Sequence, residues 1–209
     1  MTAAVWYFDF VSPYSYFALL RLGELPPDVS VRLQPVLFAG LLNHWGQKGP
    51  AEITSKRLWT YRSCVWIAQR HGWPFHLPAA HPFNSLAYLR LAIAAGNDPA
   101  AVRSIFEALW TTGADPADPQ ILARLAHSLS IDPARLADQD VKDALRSATE
   151  QAAARGVFGV PTLAIGDELF WGSDALDFAR GYLDDPGLFA VGEMQRATTI
   201  PVGASRERK

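Results

Sequence analysis

The chain has a single cysteine, Cys64. That scarcity excludes a disulfide framework within the chain and any dithiol redox cycle run on two of its own sulfurs. An excess of one charge is also lacking. The formal net charge is -2, which argues against a general nucleic-acid-binding surface or an anionic-membrane surface. No apolar run approaches bilayer-spanning length. The first residues lack the basic stretch, apolar run and small-residue cleavage site of a secretory signal. The expectation is a cytoplasmic protein with neither nucleic acid nor membrane as partner. His44, His71, His76, His81 and His127 lack metal-ligand spacing, so no metal is expected.

What is present is apolar material. Hydrophobic residues make up 49% of 209, enough for one compact body or for a domain carrying a large insertion. The stretch from Tyr7 to Ala18 organises the rest. Val5 to Val11 is short and apolar apart from Asp9, and predicts a buried strand. Ser12-Pro13 punctuates it. Ser is a preferred helix N-cap, and Pro suits the first helical position because the amide it lacks would be unpaired there. Tyr16, Phe17, Leu19 and Leu20 carry an apolar surface on to Gly23. Ser12 is thus expected at a strand-to-helix turn, near free amides and the positive end of a helix dipole, a setting that favours anions, including thiolates. Taken alone, Ser12 reads as a cap and nothing more.

Val29, Val31 and Leu33 alternate with polar residues and predict a second strand, interrupted late by Pro35. Val36 to Phe38 reads as an apolar exit running to Gly40. From about Ala39 to Arg155 the pattern is helical. Glu52 to His71 lacks Pro and Gly and stops at Gly72; its Trp59 and Trp66 read as core. Trp73 to Pro78 must be extended or turning. Further helices are marked by Leu86, Leu89 and Ile93, by Val102, Ile105, Phe106 and Leu109, by Ile121, Leu122, Leu125 and Leu129, and by Val141, Leu145, Ala148 and Ala152. The pattern then reverts. Thr162 to Ile165 and Leu169 to Trp171 predict a hairpin across Gly166-Asp167, and Gly172-Ser173-Asp174 introduces a helix. Ser205 to Lys209 is polar and terminal, and is expected to be mobile.

Strand, helix, strand, a long helical stretch, strand, strand, helix is the order of an α/β chain: a thioredoxin-like domain interrupted by an all-helical insertion domain. The boundaries read as 1–38 and 157–190 for the discontinuous first domain, 39–156 for the insertion, and 191–209 for a C-terminal tail. Ser12-Pro13-Tyr14-Ser15 has the outline of a Cys-Pro-aromatic-Cys redox turn with both sulfurs replaced by hydroxyls. Gly159-Val160-Pro161-Thr162 supplies the proline that a thioredoxin-like fold sets, in cis, against such a turn.

Tyr7 to Tyr16, Phe158 to Thr162 and Trp171-Gly172-Ser173-Asp174 resemble the bacterial 2-hydroxychromene-2-carboxylate isomerases, relatives of kappa-class glutathione transferases and of DsbA-like oxidoreductases. The resemblance covers nearly the whole chain. It implies glutathione as cofactor, with Ser12 facing the thiol as the catalytic residue. Val160 and Pro161 would align the cysteinyl part. Trp171 and Gly172 would line the same cofactor site, and Ser173 and Asp174 would take the γ-glutamyl end, Asp174 meeting its ammonium. Lys56, Asn84 and Ser85 resemble positions that hold glutathione or the substrate's carboxylate and phenol. Read alone, Lys56 is a solvated helix residue and Asn84 an N-cap. The resemblance further implies a small aromatic carboxylate substrate, a place in aromatic catabolism and, as a partner, a second copy of the chain in a homodimer. The chain departs from the family pattern at Ser63 and Trp66, where relatives often carry Asp and Arg. Cys64 reads as a buried small apolar residue, not a nucleophile. A glutathione-consuming transferase or peroxidase, and a non-catalytic glutathione-binding module, are the competing expectations.

Overall fold

The first strand is covered on both faces, and the layers of the molecule follow from that. The computed structural model describes residues 1–204; the terminal stretch expected to be mobile, from Ser205, lies outside the described residues. In chain order the elements are β1 (Thr2–Phe8), α1 (Pro13–Arg21), β2 (Val29–Pro35), α2 (Phe38–Trp45), α3 (Thr54–His71), α4 (Leu86–Ala94), α5 (Pro99–Trp110), α6 (Pro119–Ser128), α7 (Gln139–Ala154), β3 (Thr162–Ile165), β4 (Glu168–Trp171), α8 (Leu176–Asp184) and α9 (Gly192–Ala197). The sheet order is β2-β1-β3-β4. β1 runs parallel to β2 through the α1 crossover, with Trp6 opposite Leu33, and antiparallel to β3, with Trp6 opposite Leu163. β3 and β4 form the expected hairpin, with Gly166 at φ +56° in its two-residue turn. This is a DsbA-like thioredoxin fold, a mixed sheet with a long helical insertion.

Side-chain alternation along β1 divides the core. Trp6 and Phe8 face a large cluster that includes Phe17 of α1, Ile105 and Phe106 of α5, and Leu176 of α8. Trp6 stacks on Phe8 at 4.6 Å between ring centroids, and Phe10 meets Phe106 at the same spacing. Tyr7 faces the other way, into a cluster with Leu41 of α2, Ala148, Ala152 and Ala153 of α7, and Ala164 of β3. A strand buried on both faces shows a near-continuous apolar run, which is why β1 reads so clearly in the sequence. We propose the division 1–38 with 157–190, 39–156, and 191–209 as the domain organisation, with α7 as the helix of the insertion that packs on the sheet itself.

Three local expectations are corrected. β1 ends at Phe8, not Val11. The Asp9 side chain takes the Val11 amide at 3.1 Å and its carbonyl takes the Ser12 amide at 3.1 Å, so a tight turn replaces the last strand residues. Gly40 does not close an apolar exit; it lies inside α2. A Cβ there would fall 2.9 Å from Cγ2 of Thr149 on α7, so the glycine permits a close helix–helix approach rather than a stop. Trp59 and Trp66 are not core. They are 66% and 59% exposed, because the buried stripe of α3 is the small-residue set Thr60, Cys64 and Ala68. Trp66 instead meets the Arg70 guanidinium at 5.3 Å. Cys64 is fully buried, and burial pushes its thiol pKa up to about 12, as expected of an inert packing residue.

The insertion is tied to the end of β1 by a buried hydrogen bond. Trp110 at the end of α5 donates its indole N–H to the Phe10 carbonyl at 2.8 Å. Trp110→Phe keeps much of the ring's apolar contact and leaves that carbonyl unpaired. We expect a loss of about 1–3 kcal/mol, the cost of a buried unsatisfied polar group, measured as a lower urea midpoint at unchanged slope.

Candidate active site

Ser12 is 7% exposed and sits where the sequence places it, as N-cap of α1 with Pro13 in the first helical position. Its extended backbone (φ -93°, ψ 115°) turns its side chain back over the helix start, where Oγ accepts from the Ser15 amide at 3.2 Å. The same hydroxyl donates to the Val160 carbonyl across 148 residues of sequence, at 3.4 Å. The usual O–H···O spacing is about 2.7–2.8 Å. The Ser12 proton is therefore weakly held and can be redirected to a better acceptor. The Tyr14 amide, in the first turn of α1, has no acceptor among the described residues. Ser12 Oγ and Tyr14 N–H together form a donor pair at the positive end of a helix dipole.

The Val160–Pro161 peptide is cis. The Pro161 carbonyl accepts from the Gly172 amide at 2.9 Å, which fixes the chain after β4 beside the proline. Gly172 itself has φ +109°, a conformation glycine adopts without strain. Trp171 closes over the preceding residues: a Cβ on Gly159 would lie 2.6 Å from Nε1 of Trp171, and Trp171 meets Phe158 edge-on at 5.0 Å. Ser173 lies just beyond, its carbonyl accepting from Arg21 of α1 at 3.2 Å. Asp174 is exposed, with no hydrogen bond or ion pair among the described residues. Neither Ser173 nor Asp174 caps a helix, because α8 starts only at Leu176 with Ala175 before it. Ser12, Val160, Pro161, Trp171 and Gly172 thus form one connected wall, continued by Ser173 and Asp174.

The insertion contributes differently. Lys56 is exposed on the first turn of α3. Asn84 is exposed, and its Oδ1 accepts from the Leu86 amide at 3.0 Å, a local turn just before α4 rather than the N-cap, which is Ser85. Ser85 is 4% exposed, and its hydroxyl is close enough to the buried Asp9 carboxyl to pull that group's pKa down. Tyr14 reaches into α3, its hydroxyl among Thr60, Ser63 and Cys64, and burial pushes its pKa up to about 12.

Two groups at the site were not singled out from the sequence. Asp9 is buried under the turn, accepting from the Val11 amide at 3.1 Å and from the Phe38 amide of α2 at 2.8 Å. Burial raises its pKa, against the hydrogen bonds from Ser85, Phe38, Val11 and Phe10 that lower it. The signal was present as a lone acid in an apolar run. His81, from the link between α3 and α4, donates its Nε2–H to the Val11 carbonyl at 2.8 Å. Nothing local in the sequence marks it.

Hydroxyls in place of sulfurs, at a helix start against a proline loop, define a DsbA-like thioredoxin protein that cannot cycle a disulfide. The family model of the DSBA-like thioredoxin domain matches residues 4–184. The chain is 31% identical over 189 residues to a 2-hydroxychromene-2-carboxylate isomerase of Sphingobium xenophagum, spanning 86% of this chain and 96% of that one. A Caenorhabditis elegans protein named glutathione S-transferase kappa 2 is 26% identical over 205 residues, 86% and 91% of the two chains. The solved structure of a 2-hydroxychromene-2-carboxylate isomerase superposes with a TM-score of 0.74 at 28% identity, over 91% of this chain and all of that one. The chain belongs to the 2-hydroxychromene-2-carboxylate isomerase family of DsbA-like thioredoxin proteins, and is an isomerase. No helix among the described residues is long and apolar enough to cross a membrane.

Two predictions follow from this geometry. The Ser15 hydroxyl is buried with no partner among the described residues, so Ser15→Ala removes an unsatisfied group. Thermal unfolding should show unchanged or higher stability, by up to about 1 kcal/mol; a clear loss would mean the hydroxyl has a role in the fold. Asp9 titrates above its ordinary value in the folded state, so folding favours its protonated form. Its contribution is fully present below the usual carboxylate range and is lost as pH rises through the folded value. Wild-type stability should therefore decline with rising pH relative to Asp9→Asn, and parallel urea-midpoint curves for the two proteins would count against the raised pKa.

Proposed function

We propose that the chain is a glutathione-dependent cis–trans isomerase interconverting 2-hydroxychromene-2-carboxylate and trans-o-hydroxybenzylidenepyruvate, or a close analogue. The observation that carries this reading is the Ser12 hydroxyl, loosely held at the start of α1 with the unpaired Tyr14 amide beside it. The residues fit glutathione. An anionic sulfur at the α1 terminus meets the Ser12 donor and the helix dipole. The Val160 amide, with no acceptor among the described residues, is available to pair with an extended peptide. The exposed Asp174 carboxylate suits an ammonium group. Glutathione, when bound, supplies a thiolate that adds reversibly to a conjugated carbon, so that a double bond becomes single, can rotate, and re-forms when the thiolate leaves.

The chain's own residues do the rest. A free thiol with a pKa near 8.5 is only a few per cent ionised at neutral pH. Ser12 shifts its proton from the distant Val160 carbonyl toward sulfur, favouring the thiolate. A serine also cannot trap the thiol as a mixed disulfide. Lys56 and Asn84, both contributed by the insertion, would hold the substrate's carboxylate and phenol. Ser85, already engaged with Asp9, would act through that contact. The same reading places the protein in the cytoplasm and in aromatic catabolism. It also gives the chain a second copy as partner, which light scattering on the eluting protein tests directly.

Assay of chromene carboxylates by ultraviolet absorbance, with and without glutathione, tests the activity. Turnover should require glutathione and leave the free-thiol count unchanged. A falling count would instead identify a kappa-like transferase, and binding without turnover a non-catalytic module. Ser12→Ala should lower turnover about tenfold to a hundredfold, the worth of roughly 1.5–3 kcal/mol for a hydrogen bond to a charged group. Its stability should fall only by the ~1 kcal/mol of a lost cap. A folded Ser12→Ala protein with full turnover would remove Ser12 from the mechanism. Asp174→Asn should weaken glutathione binding in calorimetry while leaving the bound thiol's reactivity intact; equal affinities would displace Asp174 from the γ-glutamyl end.

A further inference from the structure

The peptide unit joining Val11 to Ser12 is gripped at both ends. Its amide, on Ser12, donates to the Asp9 carbonyl at 3.1 Å. Its carbonyl, on Val11, accepts from His81 Nε2 at 2.8 Å. The plane of this peptide sets the Ser12 backbone, and through it the direction of Oγ. The His81 ring is itself held. Its Nδ1 lies 2.9 Å from the Tyr61 hydroxyl of α3, and that hydroxyl is 2.7 Å from the His81 carbonyl. Trp110 packs edge-on against the ring at 5.5 Å.

We propose that His81 is a positioning residue: its Nε2–H, oriented by Tyr61, fixes the Val11–Ser12 peptide so that the Ser12 hydroxyl faces the thiol. The inference rests on the reading of Ser12 given above. A carbonyl oxygen only accepts hydrogen bonds, so the proton must reside on Nε2. In the neutral ring, Nδ1 then accepts the Tyr61 proton. In the charged ring, Nδ1 donates to the Tyr61 oxygen while that hydroxyl donates to the His81 carbonyl. Both states keep the bond to Val11. Burial, with Arg57 as the nearby charge, lowers the His81 pKa, so the neutral form prevails at neutral pH. The contact is a permanent clamp and not a pH switch. It makes the angle of Ser12 depend on α3 and on the link before α4, the same region that carries Lys56 and Asn84.

The test is the titration of glutathione bound to the intact protein, followed by thiolate absorbance, for wild type, His81→Leu, His81→Gln and Tyr61→Phe. In His81→Leu the thiolate fraction at neutral pH should fall about two- to tenfold, the worth of one hydrogen bond. S-methylglutathione, which has no thiol to orient, should bind as to wild type. His81→Gln keeps a donor for the Val11 carbonyl and should restore the titration. A purely structural role would lower stability without moving the thiol midpoint. Wild-type behaviour in His81→Leu overturns the inference. If that variant does not fold, Tyr61→Phe decides, because a raised midpoint there with a normal His81→Gln supports the clamp and an unmoved one overturns it. Should wild type itself leave the thiol at its free value, the Ser12 reading fails, and it is separable from a failure of His81 alone.

Discussion

The structure depends on the hydrogen bonding of the turn from Asp9 to Ser12. A chain leaving a buried strand for a buried helix exposes backbone groups that water cannot reach, and each must find a partner. Here the Val11 and Ser12 amides are satisfied from within, by the Asp9 side chain and carbonyl. Two of its carbonyls are satisfied from far away. Phe10 is met by Trp110 and Val11 by His81, both from the helical insertion. Neither half of the molecule can shape this turn alone.

That arrangement explains how a long helical insertion can be part of a site built on a small sheet. The insertion is anchored by the aromatic cluster around Phe106 and Trp110, which packs on Phe8 and Phe10. The Asp9 carboxyl extends the same network to α2 through the Phe38 amide, and Ser85 at the start of α4 lies close enough to pull its pKa down. A buried acid with several donors around it holds three helix starts in register. Its raised pKa reflects the cost of keeping a charge there.

The hydroxyl at position 12 takes its meaning from this setting. The same helix start that would stabilise a cysteine thiolate in a redox protein is available to a thiolate brought by a ligand. Serine offers a hydroxyl donor there and removes the sulfur that could form a mixed disulfide. Cys64, the one thiol of the chain, is sealed in the core behind Tyr14 and does not compete. On α3, Ser63 lies against Tyr14 and Trp66 points outward under Arg70.

Much of this was legible in the residues because it is local. The apolar run of β1, Ser12-Pro13 as a helix start, the Gly166-Asp167 hairpin and the helical spacing of α4 to α8 follow from backbone sterics and side-chain periodicity within a few residues. Ser12 and the Pro161 loop were readable because their spacing and residue types repeat a known pair of motifs. The end of β1 was misplaced because a tertiary hydrogen-bond demand, met by Asp9, outweighed strand propensity. α2 is not legible locally because Gly40, a breaker by propensity, serves contact with α7. Trp59 and Trp66 read as core but face outward, because hydrophobicity does not say which side of a helix faces the protein. By itself the sequence determined the order of the strands, of α1 and of α3 to α8, the helix-start serine and the exclusion of dithiol chemistry. Only the tertiary structure decided that Asp9, His81 and Tyr61 hold that serine, because their partners lie 20 to 70 residues away in sequence and no local rule connects them.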